Sequence, residues 1–429
     1  FTGANLKVSS THGNKMKFSR LTIAIAIATA SSTAFAAPQS FKTSRSLAMG
    51  GAGVAIAHPA SANISNPAML VSGHHDWVDD FGLILPSINA AYADEEEVVD
   101  QIDDIQSDIE RYDDLINMGG SAADIQNSAS NVKRQLEELD RDTLRADLGV
   151  GVSLAIPNDT VSMGVFTTAT LRATVRGNVA QSDLDQLQQV IDGAPGAELE
   201  NNLDSNGRVL ASAIVEAGIS FGRSFDLGLE NPVQLGVAPK YVQLRTYQYT
   251  AAVDGFDEDE FDQDDSESTK SGFNIDLGAA YAFGEDQQWN AGVAIKNLIP
   301  MELDSKFDPI LGEEKQTFEL NPMVTAGIAH SGEYHVLTAE AELTERKAFG
   351  YGDDTQWVSV GAELDAWRYA QLRVGARYNI ASNNANDGIA EETQLTAGVG
   401  LSLYGVRVDV AGMVSDADLG GAIEFGAAF

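Results

Sequence analysis

Gln371-Leu372-Arg373-Val374-Gly375-Ala376-Arg377-Tyr378 sets two kinds of residue on alternate positions. Successive side chains of a strand point to opposite sides, so Leu372, Val374, Ala376 and Tyr378 share one face, and Gln371, Arg373, Gly375 and Arg377 the other. The same alternation recurs along the chain. Leu148, Val150, Val152, Leu154 and Ile156 stand against Asp147, Gly149, Gly151, Ser153 and Ala155. Phe273, Ile275, Leu277, Ala279 and Tyr281 stand against Asn274, Asp276 and Gly278, and Val406, Val408 and Val410 against Arg407 and Asp409. A soluble sandwich alternates too, so periodicity alone leaves two all-β folds open.

The links between strands decide the matter. Strands are expected over 79–93, 146–157, 160–177, 207–222, 232–250, 272–284, 288–299, 319–330, 334–344, 355–366, 369–381, 392–404, 405–414 and 419–429, an even count of about 14. Short links such as Pro157-Asn158-Asp159, Ser331-Gly332-Glu333 and Tyr404-Gly405 alternate with long ones at 94–145, 178–206, 251–271, 300–318 and 382–391. Outer-membrane barrels have short periplasmic turns and longer outside loops, and a sandwich has no reason to sort its loops by parity. The expectation is an antiparallel transmembrane β-barrel over 77–429. Phe425, Ala427 and Phe429 form one face of the last strand, and the aromatic Phe425 and Phe429 resemble the signal read by the barrel-assembly machinery.

Composition agrees by exclusion. The 429 residues include no cysteine, which excludes disulfides, thiol catalysis and CxxC redox chemistry. The formal net charge of −36 argues against nucleic acid, whose phosphates need clustered Lys and Arg. The expected surroundings are outer-membrane lipid and lipopolysaccharide, the acidity belonging to solvated loops or to divalent-cation bridging at a lipopolysaccharide surface.

The N-terminal part reads as an address. Met16-Lys17-Phe18-Ser19-Arg20 is a basic start, Leu21 to Ala30 an apolar core and Ala34-Phe35-Ala36 a cleavage site, so residues 16–36 are expected to be a signal peptide and 1–15 to lie upstream of the natural start. Next comes Ser44 to Ala55 with Gly50, Gly51 and Gly53, then Asn66-Pro67-Ala68. The glycines lack the GK[ST] ending of a phosphate loop, so nucleotide binding is excluded. They do resemble the N-terminal hatch of the FadL-like outer-membrane transporters, PorV-like relatives included, and the whole mature chain is similar to the outer-membrane family labelled conjugal transfer TraF. The thioredoxin-like TraF is a different protein, which a cysteine-free chain cannot be.

That resemblance implies a hatch over 37–76 that plugs the lumen, and a hydrophobic substrate that enters from outside, passes the hatch and leaves laterally through a kinked strand. Pro86 and Pro239, each unable to donate a ladder hydrogen bond, are the candidate kinks. The resemblance leaves two functions open: passage of small hydrophobic molecules, or a conjugal-transfer or secretion role acting through a surface protein partner.

The outside loops add helices. Val98, Ile102, Ile105, Ile109, Tyr112 and Ile116, then Ile125, Ala129, Val132, Leu136 and Leu139, recur in steps of three and four about Gly119-Gly120, which predicts a helical hairpin over 95–143. A third helix is expected to start at a Ser182 cap and stop at Gly193. The acidic run Asp254 to Glu267 lacks the mid-loop glycine of an EF-hand, and its substrate-facing chemistry departs from what a fatty-acid carboxylate would seek. His330 and His335, near a short turn, do not form a Ser-His pair on the wall, so no catalytic residues, metal or cofactor are expected.

Overall fold

The computed structural model describes residues 41–71, 82–94, 97–158, 160–199, 202–253, 266–351, 354–366, 369–381, 389 and 393–427. The export signal, most of the acidic run and Phe429 lie outside the described residues.

Two short helices, α1 (Ser44–Ala48) and α2 (Pro59–Ser65), and a 3-10 turn (Pro67–Val71) precede the first strand. The strands are β1 (Leu83–Asp94), β2 (Thr143–Ile156), β3 (Ser162–Asn178), β4 (Asn206–Phe225), β5 (Val233–Ala252), β6 (Glu267–Phe283), β7 (Trp289–Lys296), β8 (Met301–Asp304), β9 (Thr317–Leu320), β10 (Met323–Ser331), β11 (His335–Glu342), β12 (Trp357–Ala366), β13 (Ala370–Asn379), β14 (Thr393–Leu403), β15 (Val406–Val414) and β16 (Asp418–Ala427). All but β8 and β9 pair antiparallel with their neighbours and close into one barrel as β1 meets β16. Closure removes both edges of that sheet.

The barrel is inside out relative to a soluble domain. On β13 Leu372 and Val374 are 54% and 59% exposed, whereas Arg373 and Arg377 are 2% and 4% exposed. Val360, Leu395, Val410 and Ile423 continue the apolar outer belt, and Asn274, Asp276, Asp409 and Glu424 are buried inside. Exposed apolar surface facing lipid costs nothing, while in water it would be a large liability.

Loop parity holds with two details that the sequence did not announce. One rim has short turns, such as Tyr404-Gly405, whose φ angles of +54° and +80° form the left-handed pair that suits a two-residue hairpin. The other rim carries the long links, except that β15 and β16 are joined there by 415–417 alone. The 300–318 link, expected as a loop, holds β8 and the start of β9, which pair as a hairpin; β9 runs on to Leu320, so the strand expected over 319–330 begins only at Met323. The hairpin's Met301, Leu303, Phe318 and Leu320 pack on the lumenal Leu210, Ile214, Val242 and Leu244. Burial of those four apolar side chains, roughly 1.5–3 kcal/mol each, holds this hairpin in the barrel mouth.

The first long link forms α3 (Val98–Asn117) and α4 (Ala122–Leu139), and the second α5 (Gln181–Ile191). Ser121 caps α4 by accepting from Asp124 N at 3.2 Å. Ser182 does not cap α5: Ala180 holds that position, and the Ser182 hydroxyl donates instead to Asp204. Ile105, Ile109, Tyr112, Val132, Leu136 and Leu187 make one core that also takes in Leu144 and Val175. Those two lie in lipid-facing register, yet they are buried. A span of 9–11 residues crosses the bilayer, whereas β4 and β5 are 20 residues each, so the wall here rises beyond the membrane and the helices clothe its outer side.

Candidate functional site

The interior of the barrel is the candidate site, and the 41–71 segment occupies it. Helix α1 touches β13 to β16, α2 touches β1 to β3, and the 3-10 turn touches β3 to β6. The small residues of the lumenal face give it room. A side chain at Gly375 or Gly361 would collide with Met49, one at Gly236 or Gly278 with Pro67 and Ala68, and one at Gly164 with Asn63. The glycines that interrupt the strand pattern thus mark where the segment lies against the wall.

Each motif residue has a defined place. Gly50 and Gly51 have φ of +71° and +86°, a turn that only glycine adopts without strain. Gly50 N donates to Thr396 Oγ1 at 3.0 Å, and that hydroxyl donates to Ala48 O at 3.1 Å. Gly53 N and Val54 N both donate to Glu340 Oε2, at 2.9 and 2.8 Å. Asn66 Nδ2 donates to Val54 O at 2.8 Å and to Ala279 O at 3.2 Å, while its Oδ1 accepts from Ala68 N at 3.1 Å. The Asn-Pro-Ala motif is therefore a clasp: Asn66 ties the glycine turn to β6, Pro67 fits over Gly236, and Ala68 is small enough to be wholly buried.

A buried ionic chain fixes the other end. Arg45 grips Glu363 through Nε at 2.8 Å and Nη2 at 2.9 Å, and donates to Ile56 O. Glu363 also accepts from Arg373, which pairs with Asp409, which takes Arg407 Nε at 2.6 Å. Alternating charges leave no member unpaired, the condition under which buried ions are tolerated. On strand spacing alone Arg373, Arg407 and Asp409 read only as a polar face. Arg45, which joins them through Glu363, is hundreds of residues away, and no local signal announces it.

On the long-loop side of the segment lies a cavity of about 50 Å³, bordered by Lys42, Arg45, Lys296, Glu340 and Glu342, with room for a few waters. Lys42 is half-buried and donates to Gly51 O at 2.7 Å. Burial pushes its ammonium down to about 8, against the pull of the Glu342 carboxylate.

The two prolines behave differently. Pro239 keeps its register with Ile275 of β6, and the β4–β5 register is the same on either side of it. Pro86 sits in a fault. From Ile84 to Ser87 is three steps along β1, but the partners Gly426 to Glu424 on β16 and Ser153 to Gly151 on β2 are two steps apart. Leu85-Pro86 therefore holds one extra residue relative to both neighbours, a bulge of the kind that leaves one residue unpaired and bends the strand. The phase of the pleat reverses across it, so that Ile84 points inward and packs on Ala60 of α2, while Leu85 is exposed to the outside. Phe425, at the end of β16 on the same rim, is on the outer face.

A family model described as "F plasmid transfer operon, TraF, protein" matches residues 63–341. Among solved structures, the TodX monoaromatic hydrocarbon channel, as a deltaS2S3 mutant, is similar with a TM-score of 0.54 and 12% identity, covering 90% of this chain and 99% of that one. The Ralstonia pickettii toluene transporter TbuX and the P. putida toluene transporter TodX each give 0.52 and 12%, covering 91% of this chain and 99% of theirs. No curated protein matches in sequence. At such identity the likeness is one of fold, that of a FadL-like outer-membrane barrel.

Proposed function

The chain belongs to the F plasmid transfer operon TraF family, and from that premise we propose that it is an outer-membrane channel for small hydrophobic molecules. In this reading residues 16–36 are the export signal, the long-loop rim faces outside, and the 41–71 segment is the hatch. Phe425 and Phe429 serve recognition by the barrel-assembly machinery, and the apolar belt meets lipid and lipopolysaccharide. The work is passage across the membrane, with no catalysis.

The observation that carries the reading is the two-sided fault at Leu85-Pro86. With Ile84 and Ala60 on its inner side and Leu85 on its outer side, the wall offers an apolar route from the hatch to lipid. Elsewhere the hatch meets the wall through ion pairs and amide bonds, which an apolar solute would leave without partners, or through apolar contacts such as Met49 and Ile56 on Ala329 and Val336, where the ladder is unbroken. The structural relatives named above, a monoaromatic hydrocarbon channel and toluene transporters, support the substrate class. The test is uptake of radiolabelled toluene by cells that express the chain, against cells that lack it. Equal uptake by the two strains overturns the proposal.

A second reading, favoured by the three-helix cap and the family's transfer-operon description, is a conjugal-transfer or secretion protein that acts through a surface protein partner. Loss of mating or secretion on removing the cap, with toluene uptake intact, would select it.

A further inference from the structure

His330 and His335 are not isolated turn histidines. They flank the turn that joins β10 to β11, and the residues beside them, Ala329 and Val336, are buried against Met49, Ala52 and Ile56 in the interior. Since faces alternate, both histidines stand on the outer wall at the short-turn rim. His330 lies opposite Leu337 in the ladder, so His335 is its diagonal neighbour, within reach for rings.

The two ring planes lie 19° from parallel with centroids 5.3 Å apart. His330 Nδ1 and His335 Nε2 face each other at 3.2 Å. Two features hold them there. A side chain at Gly332 would occupy the space of the His335 ring, so the glycine lets that ring fold back. On the far side Trp289 meets His330 edge-on at 4.8 Å, and Phe283 continues the row at 6.2 Å from Trp289. Aromatic rings at this level are the ordinary girdle of a barrel, but a girdle needs only rings. It does not need two ring nitrogens aimed at each other.

Between two such nitrogens one proton is shared, or two lone pairs are offered. Imidazole nitrogen bonds borderline divalent metals at about 2.0–2.1 Å, so nitrogens 3.2 Å apart subtend about 100° at a shared ion, close to a tetrahedral or square edge. We propose that His330 and His335 form a two-imidazole site for a divalent transition-metal ion of the Zn2+, Ni2+ or Cu2+ class at the short-turn rim, with water or a lipid phosphate oxygen completing the coordination. Glu333, exposed in the turn between them, is the carboxylate next to the pair in sequence. The proposal replaces the sequence expectation of no metal ligands, and it stands whether or not the channel reading does.

The test uses the full chain, purified in detergent without a polyhistidine tag and titrated with Cu2+ near neutral pH. Electron paramagnetic resonance is expected to show one bound ion with two coordinating imidazole nitrogens. His330→Phe and His335→Phe keep a ring in the girdle and are each expected to weaken binding by roughly tenfold or more, whereas replacing His74 and His75 by Ala leaves it unchanged. Retention of the heat-modifiable mobility of a closed barrel confirms that each variant is folded. A spectrum with one imidazole or none, or affinity unaffected by either Phe variant, overturns the site.

Discussion

At the scale of the residue, the molecule depends on what the lumenal positions omit or pair. Gly375 abuts the backbone of Met49 and Gly50, where nothing flexible can yield. Gly375→Val is expected to destabilise by about 1–3 kcal/mol, read as a lower urea midpoint in detergent. Gly412→Val, on the outer face with no neighbour inside 4.0 Å of the added carbon, leaves the midpoint unchanged. Arg45→Ala removes two charged hydrogen bonds to Glu363 and the one to Ile56 O, while Glu363 keeps Arg373; the loss is expected to be roughly 1.5–3 kcal/mol. Lys42 carries a pH signature. Its folded value, near 8, lies below the ordinary 10.5, so the cost of burying the charge is present in full below pH 8 and vanishes as pH rises to 10.5. Lys42→Met should therefore gain on the order of 1–3 kcal/mol over the parent at neutral pH and lose that advantage in alkaline buffer, measured as the difference in unfolding midpoints.

At the scale of the element, β1 is where function is concentrated in the proposed channel. Deleting Leu85 removes the extra residue and restores an even ladder to β2 and β16, with residue 84 still inward opposite Ser153 and no extra residue on the outer side. The expected outcome is a folded, heat-modifiable barrel with toluene uptake reduced to the level of cells without the protein. Uptake that persists places the exit elsewhere. This element also shows why sequence reading reached as far as it did. Period-two alternation is local, so the 14 strands of the barrel and their alternating links were legible, and the steps of three and four in 98–139 gave α3 and α4. Pro86 and Pro239 looked alike because a bulge is a relation to neighbouring strands, and Pro239 keeps its register where Pro86 does not. The β8–β9 hairpin was hidden because its arms are four residues each, below the length at which alternation is distinguishable from chance. His330 and His335 were each visible, but their meeting depends on a ladder register and on the space at Gly332.

At the scale of the whole molecule, apolar residues outside and charged residues inside belong to a wall between lipid and a polar interior, and the helical cap is an addition to that wall. Asp94 of β1 pairs with Leu144 of β2, so the two strands already meet at the base of the helical hairpin. Replacing 97–141 by a short turn is expected to leave a closed barrel while exposing Leu144, Val175 and the inner side of α5. Limited proteolysis should then cut within 179–205 while the strands survive, and cleavage throughout the wall would show that the cap is needed for closure.

The fault in β1 can also be viewed as a crystallographer views a dislocation. An open sheet can discharge an extra residue at its free edge, but a ring has no edge, so the misfit is trapped between β16 and β2 and can only glide along the strand. A one-residue insertion or deletion elsewhere in β1 would create a second defect of the same or opposite sign. Opposite signs would annihilate if they met, and the ladder would be made even far from the residue that was changed.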